Sequence, residues 1–164
     1  MLEGAIMPGG DGSRMQESDA LRRFFIRPFF LSLTIGIPFC AFKILFGLTA
    51  IRAGTTALMA FGSLVVAWAA IDLLMNAGRS VLDLAHRPAP FEYCTIAQIG
   101  RTLDRPLVFL AIDTLLTFTI ICVMLWSGWI TLLSRGESYL WYGATTMNLI
   151  SLSLVSLYNE IRSA

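Results

Sequence analysis

The chain has 164 residues, of which 56% are hydrophobic and 14% charged, and its formal net charge is +1. A soluble domain carries about a quarter charged residues, so water is not the main solvent here. The same figures exclude a disordered chain and a basic nucleic-acid-binding surface, and three cysteines do not make a disulfide scaffold. What remains is an all-α integral membrane protein, whose first partner is the lipid bilayer.

In chain order, residues 1–17 carry Gly4, Pro8, Gly9, Gly10 and Gly12 and read as a flexible tail. The first 28 residues contain Arg14, Arg22, Arg23 and Arg27 but no apolar run leading to a small-residue cleavage site, so no secretory signal is expected. Residues 18–28 read as a short interfacial helix, with Ser18 as N-cap and Pro28 as its stop.

A bilayer core needs roughly 20 apolar helical residues, because lipid offers no partner to an unpaired backbone group. Four segments reach that length: residues 29–50, 55–75, 107–133 and 139–158. Gly36 and Pro38 predict a bend in the first. The third runs 27 residues as one apolar stretch and must tilt or protrude. The intervening turns near Gly54 and Gly136 are short, so the expected architecture is four transmembrane helices in two antiparallel hairpins, residues 29–75 and 107–158. A connecting segment, residues 76–106, lies between them, with Ile96, Ile99 and Leu103 at the spacing of a helix lying at the headgroups. Residues 159–164 form a short tail.

The hairpins begin and end alike. Arg23-x-x-x-Arg27-Pro28 and Arg101-x-x-x-Arg105-Pro106 precede their first spans, with the arginines read as headgroup anchors. Asn76-x-x-Arg79-Ser80 and Asn159-x-x-Arg162-Ser163 follow their second spans. This pattern predicts a tandem repeat of two copies in the same orientation. Nine basic residues fall at the two ends and in the connecting segment against two in the turns, so both termini are expected on the cytoplasmic or stromal side. Trp126, Trp129, Tyr139, Trp141 and Tyr142 then gather at the opposite interface. A bacterial inner membrane or a thylakoid is expected, and eleven Arg against one Lys points to a GC-rich genome and a bacterium.

Ionisable groups inside a span need a partner, a route to the interface or a task. Three qualify: Lys43, Asp72 and Asp113, joined by the polar Asn148. Measured along their helices, Asp72 and Asp113 lie about 5 and 9 Å from the cytoplasmic ends of their spans, whereas Lys43 lies about 21 Å from its own. The two carboxylates share a depth. A direct Lys43–Asp72 bridge is therefore not expected, and Lys43 is read as snorkelling to the far interface. Thr56, Ala60, Ser63, Ala67 and Ala70 form a small-residue seam that permits close helix approach.

On the cytoplasmic side the candidates are His86, Arg87 and Glu92. No phosphate loop, zinc motif, nucleophile elbow or Cys-x-x-Cys pair is present, so no cofactor or metal is expected beyond a bound lipid or pigment. The leading expectation is a non-catalytic subunit or assembly partner of a membrane complex, held by other subunits or by self-association. A small oligomeric channel or transporter using Lys43, Asp72, Asp113 and Asn148 is the alternative, and a lipid-handling enzyme around His86 and Glu92 a third.

Overall fold

The computed structural model describes residues 32–163, and every regular element among them is helical. The tail 1–17, the helix expected over 18–28, Arg23 and Arg27 lie outside the described residues. A π turn, Ser32–Gly36, leads into α1 (Ile37–Arg52), followed by α2 (Thr56–Leu84), α3 (Thr95–Thr102), α4 (Pro106–Trp126), a 3-10 turn (Trp129–Leu132) and α5 (Arg135–Ser163). Three helices are long and apolar enough to cross a membrane: Thr34–Arg52, Thr56–Leu84 and Pro106–Trp126.

At Gly36 and Pro38, where a bend is expected, the π turn gives way to α1. Pro38 sits in the first turn of α1, where its missing N–H is tolerated. Gly36 is required for another reason: a Cβ there would come within 2.3 Å of the Asn76 amide oxygen on α2.

Helix α1 is the hub. It packs most extensively against α2 and also against α4 and α5. Such a helix needs apolar residues on all sides, and Pro38, Phe39, Phe42, Leu45, Phe46 and Ala50 are all buried. The α1–α2 crossing is backbone against backbone: a Cβ on Gly62 would lie 2.5 Å from the Gly47 carbonyl oxygen. The small-residue seam is not this contact. Thr56, Ala60, Ser63, Ala67 and Ala70 are all exposed, on the side of α2 away from Gly62, Val65, Ala69 and Asp72.

Three expectations are corrected. Helix α2 continues nine residues past Met75, so Asn76, Arg79 and Ser80 lie within it rather than after it. It continues because Asn76 and Ser80 carry on the buried face begun by Asp72, one turn apart each. It stops at His86, whose left-handed φ of 55° allows Arg87 N–H to reach the Leu82 carbonyl and His86 N–H the Asp83 carbonyl. The third apolar stretch is likewise not one long helix. It ends at Trp126, with Gly128 at φ 74° turning the chain into the 3-10 turn.

The third correction concerns Trp141. It is 3% exposed and packs edge-on against Phe42 at 4.8 Å between ring centroids, so it belongs to the core and not to an interfacial belt. Trp129 stacks on Phe46 at 5.8 Å, while Trp126 is 94% exposed. The outer ends of α1 and α5 are fastened together by a two-pronged pair, Arg52 Nη1 to Glu137 Oε2 at 2.8 Å and Nη2 to Oε1 at 2.6 Å.

Candidate functional site: a lysine between two aspartates

Lys43, 1% exposed, is fully buried within the bundle, as is Asp72. Its ammonium donates to Asp72 Oδ2 at 2.9 Å and to Asp113 Oδ1 at 2.6 Å, and lies 4.1 Å from the centroid of the Trp68 ring. Its three protons thus face two carboxylates and an aromatic face, and snorkelling does not occur.

The bridge forms although the backbone heights differ. At 1.5 Å per residue, Lys43 sits about 13 Å along α1 from Arg52 and Asp72 about 24 Å along α2 from Thr56, so their Cα atoms are offset by roughly 10 Å. Side chains lean toward the N-terminus of their own helix, and in antiparallel neighbours that brings an inner and an outer residue together. The lysine stem points down, the aspartate up, and the offset closes.

Asp72 is saturated. Besides Lys43, its Oδ1 accepts from the Thr95 N–H at 2.7 Å and from the Thr95 hydroxyl at 2.6 Å. A carboxylate thereby sits at the positive N-terminal end of α3. The Thr95 hydroxyl also accepts from Trp68 Nε1 at 2.8 Å, closing a ring of Lys43, Asp72, Thr95 and Trp68. Asn76, one turn beyond Asp72, returns its amide to the Asp72 carbonyl at 3.1 Å and to Cys40 Sγ at 3.9 Å. Asp113 is served less fully. Among the described residues it accepts from Lys43, with the Cys94 thiol also near its carboxyl.

Residues 85–94 carry the chain into this site. Cys94 caps α3 by accepting from Ala97 N–H at 3.4 Å, and burial pushes its thiol up to about 12. Burial also raises the Tyr93 phenol, whose ring lies 3.9 Å from the Arg79 guanidinium. Arg79 donates to the Phe91 carbonyl at 2.8 Å and pairs with Glu92 at 3.2 Å, and Arg101 donates to the Pro90 carbonyl at 2.8 Å.

The sequence candidates therefore divide. Lys43, Asp72, Asp113 and Asn148 all line one cavity of about 510 Å³ bounded by α1, α2, α4 and α5. Glu92 and Arg101 are clamps on the connecting segment, and Arg101 spends a guanidinium nitrogen on it rather than on headgroups alone. Arg105 is exposed at the start of α4, with Pro106 as the first helical residue. His86 and Arg87 are exposed, and their backbones end α2. Trp68, Thr95, Cys94 and Asn76 were missed. The signal for two of them was present, because Trp68, Asp72 and Asn76 recur every four residues along one face of α2.

Among the described residues no group of histidine, cysteine and carboxylate side chains is arranged to hold a metal ion. Comparison with known protein families, curated proteins and solved structures gives no match to this chain.

Proposed function

We propose that the chain is a small non-catalytic membrane protein with four spans and both ends on the cytoplasmic or stromal face. It serves as a structural subunit or assembly partner of a larger complex in a bacterial inner or thylakoid membrane. α5 is the fourth span in this reading. Support comes from its course beside α1: it starts at the Arg52–Glu137 pair, buries Trp141 and Ala144, and extends to the π turn at the other end of α1. The tandem repeat belongs to the same reading, with Arg105 and Pro106 opening α4 as Arg27 and Pro28 precede the first span.

The observation that carries the assembly role is the packing of α2. It rests on α1 and the start of α3, and among the described residues nothing covers its opposite face. That face pairs the small residues Ala60, Ser63, Ala67 and Ala70 with exposed Leu64, Ile71 and Leu74, a surface on which another helix can approach closely. The test is purification from native membranes in mild detergent with mass spectrometry of the retained subunits. Wild type is expected to keep its partner, or a second copy, and Ala67→Trp to lose it without a change in thermal stability. A monodisperse wild-type monomer, or a complex indifferent to Ala67→Trp, contradicts the proposal.

A second reading is favoured by the gathering of Lys43, Asp72, Asp113 and Asn148 around one cavity. In an oligomer these groups would form the polar step of a transport path. Proteoliposome flux that disappears in Asp113→Asn, with insertion intact, distinguishes it.

A further inference from the structure

The cavity beside the Lys43 cluster has a sidewall that opens toward the surroundings of the bundle. α4 and α5 each lean on α1, yet among the described residues they hardly touch one another. Phe118 on α4 and Leu149 and Leu152 on α5 line the cavity and are also exposed, which puts its mouth in the gap between these two helices. The lining follows one helical face on each side: Leu110, Asp113 and Thr114, Phe118 and Ile121 on α4, and Thr145, Asn148 and Leu149, and Leu152 on α5. At about 510 Å³ the space is of ligand size. Its walls are mostly apolar and do not suit a cluster of waters.

The floor is acidic. One ammonium serves two carboxylates, so the two acids are balanced only when a proton or a second cation joins them. Both carboxylates line the cavity, but Asp72 accepts from Lys43 and twice from Thr95 whereas Asp113 has Lys43 as its hydrogen-bonding cation, so Asp113 has more room for a further donor. Lys43 has no proton left to offer, since all three are engaged. An anionic head group would therefore find no cation here and would meet Asp113. Asn148, half-buried on the opposite wall, makes no side-chain hydrogen bond among the described residues and adds an amide to the same space.

We propose that the cleft between α1, α4 and α5 binds a long-chain amphiphile from the bilayer whose cationic, hydrogen-bond-donating head sits on Asp113 and Asn148. The hydrocarbon lies along Phe118 and Ile121, and the head supplies the charge that the cluster lacks. This site is lined by the buried face of α2, through Asp72 and Asn76, and not by its exposed small residues, so it is separate from the proposed subunit contact.

The test is quenching of tryptophan fluorescence in a neutral detergent by brominated dodecylamine, with the brominated acid and alcohol of the same length as comparisons. Trp141 reports on the cleft through its contact with Phe42, and the full chain carries Trp126→Phe to remove the most exposed ring. The amine is expected to quench saturably, at least about tenfold more tightly than the acid, as a charge-assisted hydrogen bond implies. Asp113→Asn is expected to erase that preference while the alcohol still binds. Thr145→Phe, which fills the cleft without touching the charged cluster, is expected to abolish saturable quenching by all three. Equal quenching by amine and acid, or quenching indifferent to Thr145→Phe, overturns the proposal. So does the absence of saturable quenching by any of the three.

Discussion

Lys43 Nζ and Asp113 Oδ1 lie 2.6 Å apart, joining α1 to α4 across 70 positions of sequence, and the same nitrogen reaches Asp72 on α2. One lysine thereby links three helices that are otherwise held mostly by apolar contact. Removing a charge from such a network leaves the others buried without compensation, a larger effect than losing the network as a whole. Lys43→Met is expected to lower stability in detergent by about 3–5 kcal/mol. Combining it with Asp72→Asn and Asp113→Asn should recover most of the loss, as judged by reversible unfolding. A single Lys43→Met variant as stable as wild type would show that the ammonium does not hold the bundle.

The two aspartates are expected to differ. Asp72→Asn weakens bonds from Lys43, the Thr95 N–H and the Thr95 hydroxyl, and should cost about 1.5–3 kcal/mol. Asp113→Asn disturbs fewer hydrogen bonds, keeps an acceptor for Lys43 and should be nearly neutral. The same unfolding measurement ranks them, and the reverse order would mean that Asp113 is the more firmly held carboxylate.

Much of this was legible in the sequence. The apolar runs marked the three long spans, and the three ionisable residues within them are the ones brought together. What was not legible was their contact. Heights computed from backbone positions omit the reach and lean of side chains, and those set whether Lys43 meets Asp72. Thr95 was beyond sequence reasoning, because nothing local tells that the connecting segment folds back into the bundle to present an N–H and a hydroxyl to Asp72. Gly47 and Gly62 were passed over in favour of a longer small-residue pattern, which lies on the uncovered face of the same helix. Periodicity located faces but not which face looks inward.

The glycine crossing gives a paired expectation. At Gly62 an added methyl meets the Gly47 carbonyl oxygen at 2.5 Å, so Gly62→Ala must push α1 and α2 apart and should cost about 1–3 kcal/mol. At Gly143, within α5, an added methyl meets nothing within 4 Å. Gly143→Ala should therefore stabilise by up to about 1 kcal/mol through helix propensity alone. Thermal melts of the two variants should move in opposite directions.

The outer fastening is sensitive to acid. The Arg52 guanidinium, helped by the Ser134 N–H, holds the Glu137 carboxyl lowered to about 2 from its ordinary 4.5. A depressed folded-state value means that the stabilisation is complete above the unfolded-state value and is lost as pH falls toward 2. Wild type should lose stability relative to Glu137→Gln between about pH 4.5 and pH 2. A constant difference across that window would detach Glu137 from Arg52.

Thr95→Val keeps the shape of the side chain and removes the hydroxyl that bridges Asp72 and Trp68. The expected cost is about 1–3 kcal/mol for the groups left unsatisfied. Hydrogen exchange should quicken over residues 90–98 and remain unchanged over 135–150. Uniform change, or none, would mean that the connecting segment is not docked through this residue.

The central claim is that α5 crosses the membrane beside α1 and returns the chain to the side on which it began. Tags at the two ends and in the turns at Gly54 and Gly136, probed in sealed vesicles of known orientation, test it most directly. The account predicts both ends in one compartment and both turns in the other. Ends found in opposite compartments, or the Gly54 and Gly136 tags on different faces, would contradict it.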